Sequence, residues 1–355
     1  MKTYRVAALP GDGIGSEVVP AAIEVLEAAA ALSGFRFAWE HFDWGSRHYL
    51  DAGRMMPEDA LATLQPFDAI FFGAVGHPDV PDHVTLNGLL LPIRRGFDQY
   101  ACIRPAVLHP GVRAPLAGKA PGSIDFVVVR ENTEGEYAQV GGIVYPEAAH
   151  GVAVQSAVFT RHGTERIIRF AFELARGRGR KGLVTSVTKS NAQGFSMTFW
   201  DRVFAEVAAD YPDLRTESLL VDAACMDLVR RPESFDVIVA SNLFGDILTD
   251  LSAAVTGSLG LAPSANLNPT RRFPSMFEPV HGSAPDIAGR GIANPMAQML
   301  SGVLMLDFLG EAEAARRVEG AVREALREGT GLTPDLGGTG TTRSATDAVL
   351  LRMAA

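Results

Sequence analysis

The sequence predicts an α/β fold with two domains around a large, mainly parallel sheet. Short apolar segments alternate with amphipathic helical segments, which is the pattern of parallel strands joined by helical crossovers. A chain of 355 residues is also longer than one hydrophobic core usually accommodates. The segments predicted as strands are Tyr4–Leu9, Ala69–Phe72, Phe126–Val129, Gly182–Thr185, Ser218–Val221 and Val237–Ala240.

Helices are predicted where apolar residues recur at helical spacing. The first follows a glycine-rich loop, and the others lie before the second group of strands or in the last third of the chain. The predicted helices are Ser16–Ala31, Leu89–Tyr100, Pro295–Leu309, Glu311–Glu328 and Ser344–Met353.

The region from Gln139 to Thr160 departs from this alternation. Residues 140–145 and 151–160 form two β-segments joined by a turn over 146–151. An antiparallel arm of this kind often contacts another subunit, although a plain surface hairpin is an equally good interpretation.

Composition excludes some classes of partner. The net charge of −9 argues against nucleic-acid binding, which needs a basic face, but not against anionic substrates, which local arginines can bind. We expect Cys102 and Cys225 to be buried free thiols, as in a reducing cytoplasm. No signal peptide and no membrane-spanning stretch is predicted, so we expect a cytoplasmic protein without a membrane partner.

The loop Gly11–Gly15 follows the first strand and resembles a dinucleotide-binding turn, with Glu40 at a suitable distance for a ribose contact. Its glycine spacing, however, is not the full G-x-G-x-x-G of that motif. We therefore do not predict a Rossmann domain.

Three aspartates are candidate metal ligands. Asp246 and Asp250 are four residues apart on a predicted helix, so that both carboxylates lie on one face, and a cation would relieve their repulsion. Asp222 follows a predicted strand, where open α/β sheets place functional groups. Taken singly, Asp246 and Asp250 are better explained as a solvated acidic helix start, and an N-cap is a reasonable explanation for Asp222.

Basic and aromatic residues suggest acid–base chemistry on an anionic substrate. Lys189 follows a strand in a chain where only four of 32 basic residues are lysines, and lysine can give up its proton whereas arginine cannot. Tyr137 and Arg130 belong to a cluster of ionisable residues over 130–137. With Arg94 and Arg104, Arg130 could bind carboxylates bidentately, although each arginine alone is usually a surface residue.

The turn-rich segment Phe277–Gly289 is a candidate cofactor loop. Gly282 and Ser283 would allow a phosphate to approach the backbone, and Asp286 could accept a ribose hydroxyl while repelling a 2′-phosphate. An ordinary structured loop is the alternative.

In this order, the motifs resemble those of the β-decarboxylating dehydrogenases of 2-hydroxy acids, the isocitrate/isopropylmalate dehydrogenase family. The strings Asn242–Asp250 and Glu278–Asp286 carry most of the resemblance, which runs nearly end to end. It implies the family's own two-domain fold, with a large mixed sheet, no Rossmann domain and a β-arm for dimerisation over about 139–160. The implied domains are 1–100 plus 252–355 on the cofactor side, and 101–251 for dimerisation and for substrate and metal.

The resemblance also implies roles for individual residues. Asp246 and Asp250, with Asp222 of the partner subunit, would bind Mg²⁺ or Mn²⁺, so that the active sites of a homodimer are shared. Lys189 of the partner subunit would be the base and Tyr137 the acid, while Arg94, Arg104 and Arg130 bind the substrate. The cofactor would be NAD, and a further monovalent cation is left open. The residues implied for NAD are Glu278, His281, Gly282, Ser283, Ala284, Asp286 and Asn294.

Substrate identity depends on the segment 76–100, which resembles the tartrate and D-malate branch of the family. Gly88 and Leu90 replace the serine and asparagine of isocitrate enzymes, so isocitrate is not expected. Asn87 and Leu89 stand where the tartrate branch usually has tryptophan and serine. We expect NAD-linked oxidation of a 2-hydroxy diacid, tartrate or D-malate, with or without decarboxylation.

Two alternatives remain. Leu89, Leu90 and Leu91 could line a pocket for an alkyl group, as in 3-isopropylmalate dehydrogenases. An inactive regulatory subunit would be expected to have lost members of the set Lys189, Tyr137, Asp246 and Asp250, and all four are present.

Overall fold

A single ten-stranded sheet runs through the computed structural model, which describes residues 1–354. A separate pair of strands forms the arm. The strands are β1 (Lys2–Gly11), β2 (Phe35–His41), β3 (Ala69–Ala74), β4 (Ala101–Val107), β5 (Asp125–Glu131), β6 (Gly141–Val144), β7 (Val152–Gln155), β8 (Leu183–Thr188), β9 (Arg215–Leu220), β10 (Val237–Ala240), β11 (Pro263–Leu267) and β12 (Ser275–Pro279).

Helices cover both faces of the sheet. They are α1 (Gly15–Ser33), α2 (Ser46–Ala52), α3 (Ala60–Leu64), α4 (Asp82–Thr85), α5 (Leu91–Gly96), α6 (Arg161–Arg178), α7 (Ser196–Ala208), α8 (Val221–Arg230), α9 (Asn242–Thr256), α10 (Met296–Leu309), α11 (Ala312–Glu328) and α12 (Thr342–Met353). A π-helical turn, Leu86–Leu90, joins α4 to α5, and short 3₁₀ turns occupy Pro232–Ser234, Leu259–Leu261 and Pro334–Leu336. Among residues 1–354, every helix is too short or too polar to cross a membrane.

The strand order is β2-β1-β3-β12-β11-β4-β5-β10-β8-β9. The first four strands are parallel to one another, and so are the last four. In the middle, β11 is antiparallel to both β12 and β4, and β4 is antiparallel to β5. The prediction of a large, mixed and mainly parallel sheet is therefore confirmed.

The six predicted strands all form, with boundaries that differ by a few residues; the predicted Ser218–Val221, for example, is Arg215–Leu220, and Val221 begins α8. Sequence patterns missed β2, β4, β11 and β12. Pro105 lies inside β4, Pro263 begins β11 and Pro279 ends β12, and proline is unusual inside strands because it lacks a backbone donor.

The predicted domain division coincides with the junction between β11 and β4. The strands from β2 to β11 in the sheet order belong to residues 1–100 and 252–355, and those from β4 to β9 belong to residues 101–251. Because β11 and β4 are hydrogen-bonded to each other, the sheet is continuous across this junction. The division into two domains stays a prediction.

The arm consists of β6 and β7, paired antiparallel within the predicted 139–160. All of its strand residues are exposed, and its exposed apolar side chains include Ile143 at 67% and Val154 at 55%. Its role in dimerisation stays a prediction. Cys102 and Cys225 are free, but only Cys102 is fully buried, and Cys225 is half-buried.

The glycine-rich loop between β1 and α1 fixes neighbouring loops to one another. Buried Asp12 accepts hydrogen bonds from Ser46 N at 2.8 Å, Ser46 Oγ at 2.6 Å and Gly76 N at 2.8 Å. Gly13 has φ +56°, and a Cβ there would lie 2.1 Å from the carbonyl oxygen of Ser283. The loop therefore contacts protein backbone, in agreement with the rejection of a Rossmann dinucleotide turn.

Replacing Asp12 by alanine should lower the free energy of unfolding by about 3 kcal/mol, because two buried backbone N–H groups and a hydroxyl lose a charged acceptor. Asp68→Ala is the matched control, since exposed Asp68 accepts only from Arg5 N and should cost less than about 1 kcal/mol. Urea denaturation at fixed protein concentration measures both. Equal losses for the two variants would contradict the role of Asp12.

Candidate active site

A cavity of about 520 Å³ contains most of the predicted catalytic and substrate-binding residues. Its wall is built by β4, β5, β12, α9 and the segment between α4 and α5. The predicted residues that line it are Arg94, Arg104, Arg130, Tyr137, Asp246, Glu278, His281 and Gly282. The chain therefore brings the three arginines together as predicted.

Arg130 is the most enclosed of these side chains, with only 2% of its surface exposed. It lies on β5 and donates from Nε and Nη2 to Asn242 Oδ1 at 3.1 and 2.7 Å, and from Nη1 to the carboxylate of Asp246. Its guanidinium lies 5.3 Å from the ring centre of Tyr137. Burial lowers the pKa of Arg130, and the nearby carboxylate of Asp246 opposes that effect.

Arg104 approaches the same carboxylate from β4. Its Nη1 donates to Thr249 Oγ1 at 2.6 Å and to Asp246 Oδ1 at 3.4 Å, and its Nε lies 3.4 Å from Ser264 Oγ. Both arginines thus hold the first turns of α9 against the centre of the sheet.

Arg94 and Glu278 form a buried ion pair of 2.6 Å, with about 6% of each side chain exposed. Asn266 also donates to Glu278 Oε1, at 2.7 Å. The Nε of Arg94 is buried without a partner in the protein. Glu278 therefore holds the arginine, whose position on the cavity wall leaves a donor for another acceptor.

Tyr137 donates from Oη to Asp246 Oδ2 at 2.9 Å. Burial and the negative charge of Asp246 raise the pKa of Tyr137, so the phenol stays protonated at neutral pH. For Asp246, burial alone would raise the pKa, but Arg130 and Arg104 outweigh burial and the net pKa is lowered. Asp246 is therefore ionised, and Tyr137 is a neutral donor beside it.

Asp250 lies one turn further along α9 and is exposed. Partial burial and the charge of Asp246 raise the pKa of Asp250, so positive charge near it is insufficient to offset the repulsion. The predicted pair on one helix face is present, but only Asp246 is compensated by arginines.

The glutamates of the predicted ionisable cluster over 130–137 are largely structural. Buried Glu131 accepts from the backbone N–H groups of Thr133 and Glu134, each at 2.9 Å. Glu136 accepts from Ser241 Oγ at 2.7 Å and Leu243 N at 3.1 Å, and so caps the N-terminus of α9. These bonds fix the loop that carries Tyr137.

Lys189 and Asp222 lie together but away from the cavity wall. Lys189 Nζ donates to Asp222 Oδ1 at 2.6 Å, and the two side chains are 29% and 61% exposed. This hydrogen bond lowers the pKa of Asp222. Within residues 1–354 of one chain, no group of three His, Cys, Asp or Glu side chains is arranged to hold a metal ion.

The predicted cofactor loop packs against α1 and the start of α12. Ile14 N donates to Ser283 O at 2.9 Å, and Glu17 accepts from the N–H groups of Gly289 and Gly291 at 2.6 and 2.9 Å. Ala284 has φ +41°, and Asp286 is exposed at the surface of the loop.

His281 within this loop and Asn294 just after it have buried polar groups. His281 has a buried Nε2 without a partner in the protein, and burial lowers its pKa. Asn294 donates from Nδ2 to Asp335 Oδ2 at 3.0 Å and is 6% exposed. Of the predicted cofactor residues, Glu278, His281 and Gly282 line the cavity of about 520 Å³, and the others do not.

The apolar wall predicted to consist of Leu89, Leu90 and Leu91 differs from the prediction in one residue. Leu90 and Leu91 line the cavity, but Leu89 is fully buried in the hydrophobic core and does not. Because the chain passes through a π-helical turn here, Leu86 takes the remaining place on the wall. The prediction rested on the three consecutive leucines 89–91 and therefore missed Leu86.

Asn87 also lines the cavity. Its Nδ2 donates to His83 O at 2.7 Å, and its Oδ1 accepts from Gln139 Nε2 at 2.9 Å, which links this wall to the base of the arm.

Comparisons with known proteins agree with this geometry. The family model described as isocitrate/isopropylmalate dehydrogenase matches residues 5–349. D-malate dehydrogenase [decarboxylating] of Escherichia coli (strain K12) is 54% identical, over 98% of each chain. Tartrate dehydrogenase/decarboxylase of Pseudomonas putida is 52% identical, over 95% of this chain and 94% of its own. The crystal structure of isocitrate dehydrogenase from Methylococcus capsulatus superposes with a TM-score of 0.89 at 36% identity, covering 99% and 100% of the chains.

Removing the charge of Asp246 should destabilise the protein, since Arg130 and Arg104 would lose their carboxylate. Asp246→Asn should cost about 1–2 kcal/mol at neutral pH, a figure reduced for the solvent that reaches this half-exposed side chain. Because the pKa of Asp246 is lowered in the folded state, its stabilisation is present above its ordinary pKa of 3.8 and is lost as pH falls below that value.

Asp250→Asn is the matched control on the same helix. The pKa of Asp250 is raised in the folded state, so its negative charge opposes folding at neutral pH. In a chelating buffer, the free energy of unfolding of the variant should therefore be unchanged or slightly higher. Urea denaturation at neutral and acidic pH measures both variants. A loss for Asp246→Asn that stayed constant into acid would contradict the electrostatic explanation.

Proposed function

The chain belongs to the isocitrate/isopropylmalate dehydrogenase family, and from this premise we propose that it oxidises tartrate or D-malate with NAD, with or without decarboxylation. One observation carries the proposal: a single cavity combines three buried arginines with a protonated tyrosine and an ionised aspartate. Arginines in such a setting suit a small dicarboxylate, whose two carboxylates they bind as bidentate partners.

Substrate binding would use the donors that the cavity leaves available. Arg94 has a buried, unpartnered Nε and adjoins the apolar residues Leu90 and Leu91. Arg104 and Arg130 lie opposite, around Asp246. A four-carbon diacid placed between them would have one carboxylate near each group of arginines.

The proton transfers would be divided between Lys189 and Tyr137. Oxidation removes the hydroxyl proton, which the ε-amine of Lys189 of the partner subunit would accept, while the hydride passes to the nicotinamide. The product is a 2-keto acid with a carboxylate β to the carbonyl. When that carboxylate leaves as CO₂, its electron pair forms an enolate, and the Tyr137 hydroxyl would protonate the carbon.

A second copy of the chain would supply Lys189. In one chain, Lys189 and Asp222 form an exposed ion pair and do not line the cavity. Exposed apolar residues occur on the arm and on α8 and α9, including Met226 at 56% and Ile247 at 50%. Apolar surface of this extent is typical of subunit interfaces. We therefore propose a homodimer with shared active sites.

A divalent metal fits the donors on α9. Asp246 and Asp250 offer carboxylate oxygens, which Mg²⁺ and Mn²⁺ prefer. Burial and, second, the negative charge of Asp246 raise the pKa of Asp250, and a cation would offset that charge. Asp222 of the partner subunit would complete the carboxylate set. When bound, the metal would lower the pKa of the substrate hydroxyl.

NAD fits the loop after β12. Residues His281 to Asp286 and Asn294 would bind the adenosine half, and the exposed carboxylate of Asp286 would accept a ribose hydroxyl and repel a 2′-phosphate. Glu278, His281 and Gly282 line the cavity, so the nicotinamide end would enter it there. NAD would accept the hydride.

Leu86, Leu90 and Leu91 favour 3-isopropylmalate as the second candidate substrate, since they form an apolar wall in the cavity. Steady-state rates of NADH formation with D-malate, the tartrates and isopropylmalate, each with Mn²⁺, distinguish the candidates. We expect D-malate or a tartrate to have the highest kcat/KM. A much higher value for isopropylmalate would favour the alternative, and no NADH from any diacid would favour an inactive subunit.

Asp250→Asn should weaken Mn²⁺ binding by at least about tenfold, because one of the proposed carboxylate ligands is lost. Electron paramagnetic resonance of free Mn²⁺ measures binding without requiring activity. Asp51→Asn is the control, since it changes an equally exposed carboxylate on the short helix α2. Unchanged Mn²⁺ binding in Asp250→Asn would remove Asp250 from the metal site.

A further inference from the structure

A second cavity of about 170 Å³ lies behind the strands that carry Arg104 and Ser264. It is lined by Pro105 of β4 and Pro263 of β11, the sequence neighbours of those two residues. Because successive residues of a strand point to opposite faces, this back cavity lies on the other side of the sheet from the substrate cavity. Among the described residues, the two cavities share no lining residue.

The inner wall of the back cavity is apolar. Between β4, β11 and helix α10 it presents aliphatic side chains, namely Val107, Leu261, Leu300, Val303 and Leu304. An apolar cavity of about 150 Å³ is large enough to bind benzene. The back cavity therefore has room for one aromatic ring or one branched alkyl group.

His109 gives the back cavity a polar group without a partner. Only 4% of its surface is exposed, and its Nδ1 is buried without a hydrogen-bond partner. Burial, with a smaller effect from Arg323, lowers the pKa of His109 to about 4. The imidazole is therefore neutral at physiological pH, and one ring nitrogen is free to accept a hydrogen bond. Buried polar atoms of this kind are normally satisfied, and a ligand that carries a hydrogen-bond donor would satisfy this one.

Two carboxylates, those of Asp307 on α10 and Glu319 on α11, lie at the same cavity. Partial burial and the negative charge of Glu319 raise the pKa of Asp307, and the positive charge of Arg316 only partly offsets these effects. A cation between the two carboxylates would stabilise both. The back cavity thus combines an apolar interior, a neutral acceptor and two carboxylates at its rim.

We propose that the back cavity binds a small organic ammonium ion. Its ring or branched alkyl group would pack among the leucines, and its N–H groups would donate to Asp307, Glu319 and His109. The site is separate from the hydroxy-diacid site, and the inference does not depend on which diacid the protein oxidises.

Benzylammonium tests the proposal against two molecules of the same shape, neutral benzyl alcohol and anionic benzoate. Isothermal titration calorimetry of the full-length protein should give one site per chain. Benzylammonium should bind about tenfold more tightly than benzyl alcohol, which corresponds to about 1.4 kcal/mol, and benzoate should bind more weakly than either. Saturating D-malate with Mn²⁺ should leave this binding unchanged.

Variants locate the site. The double variant Asp307→Asn/Glu319→Gln should lose the preference for benzylammonium over benzyl alcohol, and Leu304→Trp should abolish binding of both by filling the cavity. Glu313→Gln, which removes an exposed carboxylate from the same helix α11 outside the cavity, should bind as the unaltered chain does. Thermal melting and D-malate turnover show whether each variant is folded.

Several results would overturn the proposal. These are no binding of benzylammonium at millimolar concentration, equal binding of the three probes, unaltered binding in the folded double variant, and displacement by D-malate. If Leu304→Trp does not fold, the double variant alone decides the charge requirement, because its substitutions lie at the partly exposed rim.

Discussion

The candidate active site depends most on the contact between the carboxylate of Asp246 and the guanidinium of Arg130. Arg130 is 2% exposed, so water cannot solvate its charge, and only a buried or half-buried anion can. Asp246 supplies that anion, and Arg104 and Tyr137 attach to the same carboxylate. One side chain thus joins β4, β5, α9 and the loop before the arm. Removing it would leave two arginines without a counter-ion and a tyrosine without its acceptor.

The topology explains why these groups meet. In a uniformly parallel sheet, functional groups gather where strand ends and crossovers adjoin. Here β11 and β4 separate two groups of parallel strands that run in opposite directions, and Arg130 of β5 and Glu278 of β12 line one cavity with residues of α9 and the α4–α5 segment. Arg104 can then contact Ser264 within the sheet and Asp246 above it. The antiparallel middle, which broke the simple strand–helix pattern, is what assembles the cavity.

Sequence patterns predicted most of the flanking parallel strands but missed the three central strands, β4, β11 and β12. Strands such as Val237–Ala240 are continuous apolar runs because helices cover both faces, and such runs are easily recognised. The central β4, β11 and β12 contain proline and buried polar residues, since they carry Arg104, Asn266 and Glu278, and the usual strand signal is therefore absent. The motifs with Arg130, Tyr137 and Asp246 could be found from sequence. The Arg94–Glu278 pair, 184 positions apart, could not, because nothing local marks a contact that only the fold creates.

The contrast between Asp246 and Asp250 bears on the proposed metal site and the proposed dimer. Asp246 is compensated by arginines, and its pKa is lowered, whereas the pKa of Asp250 on the next turn is raised by partial burial and by the charge of Asp246. A structure that stabilised both carboxylates with arginines would leave no net negative charge to attract a metal. An uncompensated Asp250 costs some stability in the isolated chain but would give the proposed metal site its affinity for a cation. Asp222 differs in that Lys189 pairs with it and lowers its pKa, but this carboxylate also remains largely exposed. Carboxylates left in this state on surfaces that also expose Met226 and Ile247 are best explained if a second chain covers them, since dimerisation and metal binding would then each offset what the other leaves unfavourable.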